Sequence, residues 1–134
     1  MRAAHLCERI LGANLPEGMT TAQYSVLRTI SRLDGDVTIT RLAGLMTVSQ
    51  PTMSSTVRRL EEKGLVEVSI MQMDGRAKHI ALTRAGDVLR KAADQSLSPV
   101  LDTLSGALDT QGWQNLQPAL AQLNAILDEA ISLD

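Results

Sequence analysis
The sequence predicts a mainly α-helical fold with one small β-hairpin, an α+β arrangement with further helices at both ends. Three observations predict it. Apolar residues recur every three or four positions through most of the chain, which is helix periodicity. Two short alternating runs, Leu65 to Gln72 and Arg76 to Leu82, flank Met73-Asp74-Gly75, and an Asp-Gly pair between such runs signals a hairpin. The last segment repeats leucine at four and three, the spacing of a seam for another helix.

Taken in order, Arg2 to Ala13 reads as a short helix with Leu6, Ile10 and Ala13 on one face. Asn14 to Met19 holds Pro16 and Gly18 and reads as a loop. Thr20 or Thr21 caps a helix carrying Tyr24, Leu27, Ile30 and Leu33, and Asp34-Gly35-Asp36 ends it. Thr38 caps a shorter helix through about Met46, with Leu42 and Leu45 facing inward. Ser49 opens the next helix, its hydroxyl available as a cap, with Pro51 in the first turn, where a missing N–H costs little. At about 100° per residue, Met53, Val57 and Leu60 share one stripe. Thr52, Ser55, Arg58, Arg59 and Glu62 lie opposite, Ser54 sits on the flank, and Gly64 is the stop signal. Beyond the hairpin, Thr83 caps a long helix through roughly Leu108, bent at Pro99. Thr110 begins a last helix whose seam is Leu116, Leu120, Leu123, Leu127 and Ala130.

Composition narrows the function. With 134 residues, the chain suits one domain, or one domain with appended helices that need a partner. There is no Phe, one Trp and one Tyr, so the core must be aliphatic, and oligomerisation is a common remedy for a small aliphatic core. One cysteine, Cys7, excludes an internal disulfide framework and fits a reducing cytoplasm. No apolar run approaches the roughly 20 residues that span a bilayer. The opening residues are too short and interrupted for a secretory signal, so a cytoplasmic chain with no membrane partner is expected.

The net charge of −2 hides a strong asymmetry. From Val37 to Lys91, nine Lys/Arg face five acids, a balance of +4, whereas from Ala92 to Asp134 six acids stand with no base. A basic middle and an acidic tail imply that the middle faces a polyanion.

A short helix, a turn, a second helix and then a hairpin make a winged helix-turn-helix. In that arrangement the second helix lies in the DNA major groove and offers its N-terminal residues to base edges. Small hydroxyls allow close approach there, and two arginines further on can neutralise phosphates or reach guanine. The hairpin's Arg76 and Lys78 can then reach the minor groove or flanking backbone. The competing reading is a solvated helix face on a winged-helix dimer used for protein contact, since caps and turns favour hydroxyls anyway.

The chain resembles the MarR family of transcriptional regulators. TTAQYSVLRTI resembles the family's helix before the DNA-binding motif, ITRLAGLMTVSQPTMSSTVRRLEEKGLVEV its helix-turn-helix, and DGRAKHIALTRAG its wing and the start of its long helix. The resemblance is continuous from Thr20 to about Leu89 and weaker in the terminal helices. It implies an obligate homodimer binding a pseudo-palindromic operator on double-stranded DNA, with a small-molecule effector as a further expectation and no cofactor. The whole of 1–134 would form one such domain, with 20–89 as the DNA-binding lobe and 1–15 and 90–134 as dimerisation helices. Carried over by position, Ser49, Gln50, Pro51, Thr52, Ser54, Ser55, Arg58 and Arg59 would face DNA. Asp74 and Arg76 match the charged wing motif, with the arginine as the usual minor-groove residue. Gly75 departs from the pattern, standing where an arginine is common, and the strand before it is apolar. The dimer interface would draw on Leu6, Ile10, Trp113, Leu116, Leu120, Leu123 and Leu127.

Other candidates carry less. His5-x-Cys7 is at most half of a metal site, and Cys7 has only Arg9 beside it to lower a thiol pKa. His79 falls in a strand, as a packed or DNA-proximal residue. Nothing in the sequence supports catalysis: there is no glycine-rich phosphate loop, no nucleophile with a base, and no usefully spaced carboxylate pair.

Overall fold
A computed structural model describes residues 2–70 and 78–132. Among these, six helices and one two-stranded sheet run in the order α1 (Arg2–Asn14), α2 (Thr21–Ile30), α3 (Ile39–Met46), α4 (Gln50–Glu62), β1 (Val66–Ile70), β2 (Lys78–Leu82), α5 (Arg84–Gly106) and α6 (Thr110–Ser132). The chain divides into two compact units, Met1–Leu97 and Ser98–Asp134.

The core of the first unit is aliphatic, as the composition requires. Val26, Leu27, Leu42, Met53, Leu60, Val66, Ile80 and Leu97 are 2% exposed or less, and they come from α2, α3, α4, the hairpin and α5. Thr20 starts α2 with a capping box: its hydroxyl accepts from the Gln23 N–H at 3.1 Å, and Gln23 Oε1 accepts from the Thr20 N–H at 3.4 Å. The helix ends at Ile30, earlier than the Asp34-Gly35-Asp36 stop that the sequence suggests. The Ser31 hydroxyl bonds the Arg28 carbonyl at 2.7 Å and competes with the helix for that acceptor. Leu33 still packs against the core from the turn that follows.

Thr38 caps α3 as expected, accepting from the Arg41 N–H at 3.2 Å. Leu45 does not face inward; it is 57% exposed, and Ala43 is buried beside Leu42. Residues 39, 42, 43 and 46 form the packed side, and position 45 falls about 60° beyond its edge. Thr47 closes α3 in the left-handed region, φ 52 and ψ 48, and turns the chain into α4. Ser49 caps α4, with Pro51 in its first turn, Met53, Val57 and Leu60 buried, and Gly64 turning away at φ +68.

The strands pair antiparallel from Val66↔Leu82 to Ile70↔Lys78. The expected Met73-Asp74-Gly75 turn and Arg76 lie outside the described residues. Val37 stitches the hairpin to the segment before α3: its carbonyl accepts from the Ile80 N–H at 2.8 Å, and its N–H reaches His79 Nδ1 at 3.4 Å. Thr83 caps α5, accepting from the Gly86 N–H at 3.0 Å and donating to the Gly64 carbonyl at 2.7 Å. Gly86 is required there, because a Cβ would overlap the Leu65 carbonyl oxygen.

In the second unit, Asp109 caps α6, accepting from the Gly112 N–H at 2.7 Å, and the Trp113 indole donates to the Ser105 carbonyl at 2.8 Å. Between 98 and 130 every residue except Val100 and Gly112 is exposed. No described helix is long and apolar enough to cross a membrane.

Candidate nucleic-acid interface
The outward face of α4 carries most of the residues assigned to DNA contact. Ser49, Gln50, Pro51, Thr52, Ser54, Arg58 and Arg59 are exposed, and Ser55 is half-buried. Their hydroxyls are not equivalent. Ser49 Oγ accepts from the Thr52 N–H at 3.2 Å and lies 2.8 Å from Thr52 Oγ1, so both serve the cap first. Ser54 and Ser55 make no side-chain hydrogen bond among the described residues. They are the hydroxyls left for another partner.

One flank of α4 meets the hairpin in an open cleft of about 470 Å³, where Pro51, Ser54, Ser55 and Arg58 stand with Lys78, Val68 and Ile39. The structure therefore brings Arg58 and Lys78 to one opening. Arg59 is not part of it. The two arginines are adjacent in sequence and diverge by about 100°, straddling the line opposite the buried stripe. Arg58 Nε lies 3.9 Å from Glu62 with both side chains exposed, a contact worth little that leaves the guanidinium available.

The basic stretch is less free than its charge count suggests. Arg41 donates to the Asp34 and Asp36 carbonyls at 2.9 and 2.8 Å, and Lys63 to the Gly18 carbonyl at 2.6 Å. Arg90 pairs with Asp87 and Asp94 at 2.8 and 2.7 Å, and Lys91 with Asp87 at 2.7 Å. Four of the nine bases are thus engaged by groups of the lobe itself, though Arg41, Lys63 and Lys91 stay exposed, and the ties of Arg41 and Lys63 leave no mark in the sequence spacing. Arg58, Arg59, Lys78 and Arg84 remain exposed at the surface, while Arg76 lies outside the described residues.

The Asp94 carboxylate also accepts from the Tyr24 hydroxyl at 2.6 Å, joining α5 to α2. Burial first, and then that hydrogen bond, push the Tyr24 phenol above its ordinary pKa, against the pull of Arg28. Hydrogen bonds from Lys91 and then Arg90 hold the Asp87 carboxyl below the usual aspartate value. These contacts fasten α5 internally and to α2.

The residues assigned to the dimer seam all present apolar surface. Leu6 and Ile10 are exposed on α1, and Leu116, Leu120, Leu123 and Leu127 remain 37–48% exposed along one stripe of α6, with Trp113 at its start. The sequence reading missed Leu101, Leu104, Leu108 and Ile126, which are equally bare. The spacing of Leu97, Leu101, Leu104 and Leu108 by four, three and four already signals that continuation. His5 and Cys7 are exposed on α1, and among the described residues no three His, Cys, Asp or Glu side chains gather as a metal site. His79 is half-buried in β2, with Asp36 Oδ1 3.7 Å from its Nδ1.

Helix α3, the left-handed turn at Thr47, helix α4 and the paired strands define a winged helix-turn-helix. Residues 19–78 match the family model described as MarR family. A MarR variant from E. coli, solved in complex with operator DNA, is 25% identical, with a TM-score of 0.80 over 91% of this chain and 91% of that one. The S. aureus MepR–DNA complex is 24% identical over 92% of each chain, with a TM-score of 0.85. The PcaV transcriptional regulator of Streptomyces coelicolor, solved with its natural ligand, is 16% identical over 92% of this chain and 87% of that one, with a TM-score of 0.83. Over residues 19–78 the chain is similar to the MarR family, and its fold is the one these solved regulators share.

Proposed function
We propose that this chain is a sequence-specific DNA-binding transcriptional regulator, acting in the cytoplasm as a homodimeric repressor that responds to a small molecule. The observation that carries the DNA-binding reading is the outward face of α4, where Ser54, Ser55 and Arg58 share a cleft with Lys78 of the hairpin. On this reading α4 enters the major groove, Ser55 points at the base edges, and the diverging Arg58 and Arg59 reach the two phosphate walls. Gln50, Pro51 and Thr52 line the entering end, and Arg76 with Asp74 serves the wing. The two similar proteins solved on DNA support this reading, and the ligand-bound PcaV supports effector response.

The dimer reading rests on energetics as well as on the resemblance to the MarR family. Nine apolar side chains of the second unit keep 37–57% of their surface exposed. Covering what remains of each contributes roughly 1 kcal/mol, or on the order of 10–20 kcal/mol for a pair of protomers, against about 4–15 for association. The acidic segment from Ala92 onward carries six acids and no base, so a duplex repels it and it is not expected to contact DNA.

Selection of duplexes from a random pool by the purified protein tests the whole reading. Enrichment of an inverted repeat, with half-site centres about 10 bp or a multiple apart and binding that weakens steeply with salt, is expected. No enrichment and no salt-dependent shift would leave the fold to protein contact alone.

A further inference from the structure
Lys63 sits in the basic stretch but away from the cleft that holds Arg58 and Lys78. It is the residue that ends α4. Its ammonium donates to the Gly18 carbonyl at 2.6 Å and to Gln23 Oε1 at 3.0 Å, and among the described residues no carboxylate lies within ion-pair distance. Gly18 turns its loop at φ +78, a left-handed conformation that glycine adopts without strain. Among the described residues Gln23 is the one buried polar side chain, 5% exposed, and the oxygen it offers Lys63 also closes the capping box of α2. Both acceptors are therefore fixed by their own backbones. A cation bonded to two fixed neutral oxygens makes short, directional bonds.

Helix α4 packs through a single stripe, Met53, Val57 and Leu60, and a helix held along one line can roll about it. Its C-terminal end is fastened from two sides. Lys63 ties it to α2 and the preceding loop, and Thr83 of the α5 cap holds the Gly64 and Leu65 carbonyls at 2.7 and 3.2 Å. Lys63 follows Arg59 by four residues and Thr52 by eleven, so all three lie on one flank of α4. Arg58 and Ser54 lie on the other, against the hairpin.

We propose that Lys63 is a positioning residue for DNA recognition: it sets the roll of α4, and so the aim of Thr52 and Ser55 at base edges, without touching the duplex, while the long Arg59 side chain can follow the roll and keep its phosphate. This inference rests on the DNA-binding reading above. The probes are the duplex selected by the wild-type chain and a scrambled duplex of equal length and composition. Lys63→Met keeps the stem and removes the donors, Lys63→Arg restores a donor, and Gln23→Glu makes the acceptor anionic while keeping the capping box.

With every variant shown to be folded by circular dichroism at the assay temperature, Lys63→Met should weaken the selected complex about tenfold, the worth of one charge-assisted bond, and leave the scrambled complex unchanged. Its salt slope should equal that of the wild type, because no phosphate contact is lost. Lys63→Arg should recover most of the discrimination. Amide exchange at the C-terminal end of α4 should be faster in Lys63→Met and no faster than wild type in Gln23→Glu. An unchanged ratio of the two affinities overturns the proposal, as does a shallower slope with both duplexes weakened alike, which would make Lys63 a phosphate contact. If Lys63→Met does not fold, Gln23→Glu decides, and a lower ratio or faster exchange overturns the proposal. If the wild-type chain selects no duplex, the DNA-binding reading fails on its own. Exchange then judges the latch, and equal rates in Lys63→Met and wild type reject it.

Discussion

Replacing Gly86 by alanine sets two effects of opposite sign against each other. Gly86 lies in the first turn of α5, where alanine gains at most about 1 kcal/mol of helix propensity over glycine. The added Cβ would overlap the Leu65 carbonyl oxygen and stand 2.9 Å from the carbonyl carbon, and both are backbone atoms with no rotamer to yield. Leu65 is buried and precedes the buried Val66, so the strand cannot retreat without disturbing the core. Retreat would also stretch the bond from the Thr83 N–H to the Leu65 carbonyl, now 3.2 Å, and that from the Thr83 hydroxyl to the Gly64 carbonyl, now 2.7 Å. Overpacking costs about 1–3 kcal/mol and each weakened neutral hydrogen bond about 0.5–1.5. The clash therefore wins by roughly 2–4 kcal/mol, a large share of the about 5–15 kcal/mol that holds a domain together. Thermal unfolding followed by circular dichroism should show Gly86→Ala melting on the order of 10 °C below the wild type. A midpoint equal to or above the wild type would refute the close approach of α5 to the turn after α4.

Three further outcomes follow from the same geometry. Thr47→Gly removes a β-branched residue from the left-handed region, relieving about 1–2 kcal/mol of strain against roughly 0.5–1 of added unfolded-state entropy, so its midpoint should rise by a few degrees; a fall would mean that the Thr47 side chain makes a stabilising contact. Leu120→Asp with Leu123→Asp puts charge on the bare stripe of α6 and should yield unfolded or aggregated monomer by sedimentation and melting, whereas a well-folded monomer with wild-type operator affinity would exclude the dimer seam. Asp87 is held below its ordinary pKa in the folded chain, so its ion pairs stabilise above the usual aspartate range and that contribution is lost as pH falls through the lowered value. Urea unfolding of Asp87→Asn should thus fall short of the wild type at pH near 7, with the gap narrowing at a pH near 3; an equal gap at both would discount those pairs.

What was legible in the sequence is what local chemistry controls. Ser49, Pro51, the Met53–Val57–Leu60 stripe and Gly64 announce α4 because caps, periodicity and stops act within a few residues of one another. Leu45 misleads because apolar character alone does not say which flank of a short helix will be covered. The end of α2 was displaced by one hydroxyl, that of Ser31, competing for a carbonyl. Ties across the chain left no local mark: Lys63 meets Gly18 from 45 positions away, and Tyr24 meets Asp94 from 70. Charge counting therefore overstated the basic surface and could not separate Arg58, which is free to meet a polyanion, from Lys63, which is engaged with the lobe. The pairing of Arg58 with Lys78 across a cleft likewise depends on the hairpin folding back beside α4.

The outward face of α4 as the DNA-reading surface is tested most directly by the salt dependence of duplex affinity in Arg58→Ala and Arg59→Ala. Both side chains are exposed opposite the buried stripe, so each variant should keep the wild-type circular dichroism and sedimentation. For each arginine that contacts a phosphate, the plot of log affinity against log salt should shallow by about one unit per half-site, with weaker binding to the selected duplex. Unchanged affinity and unchanged slope in both variants would contradict the placement of α4 in the groove.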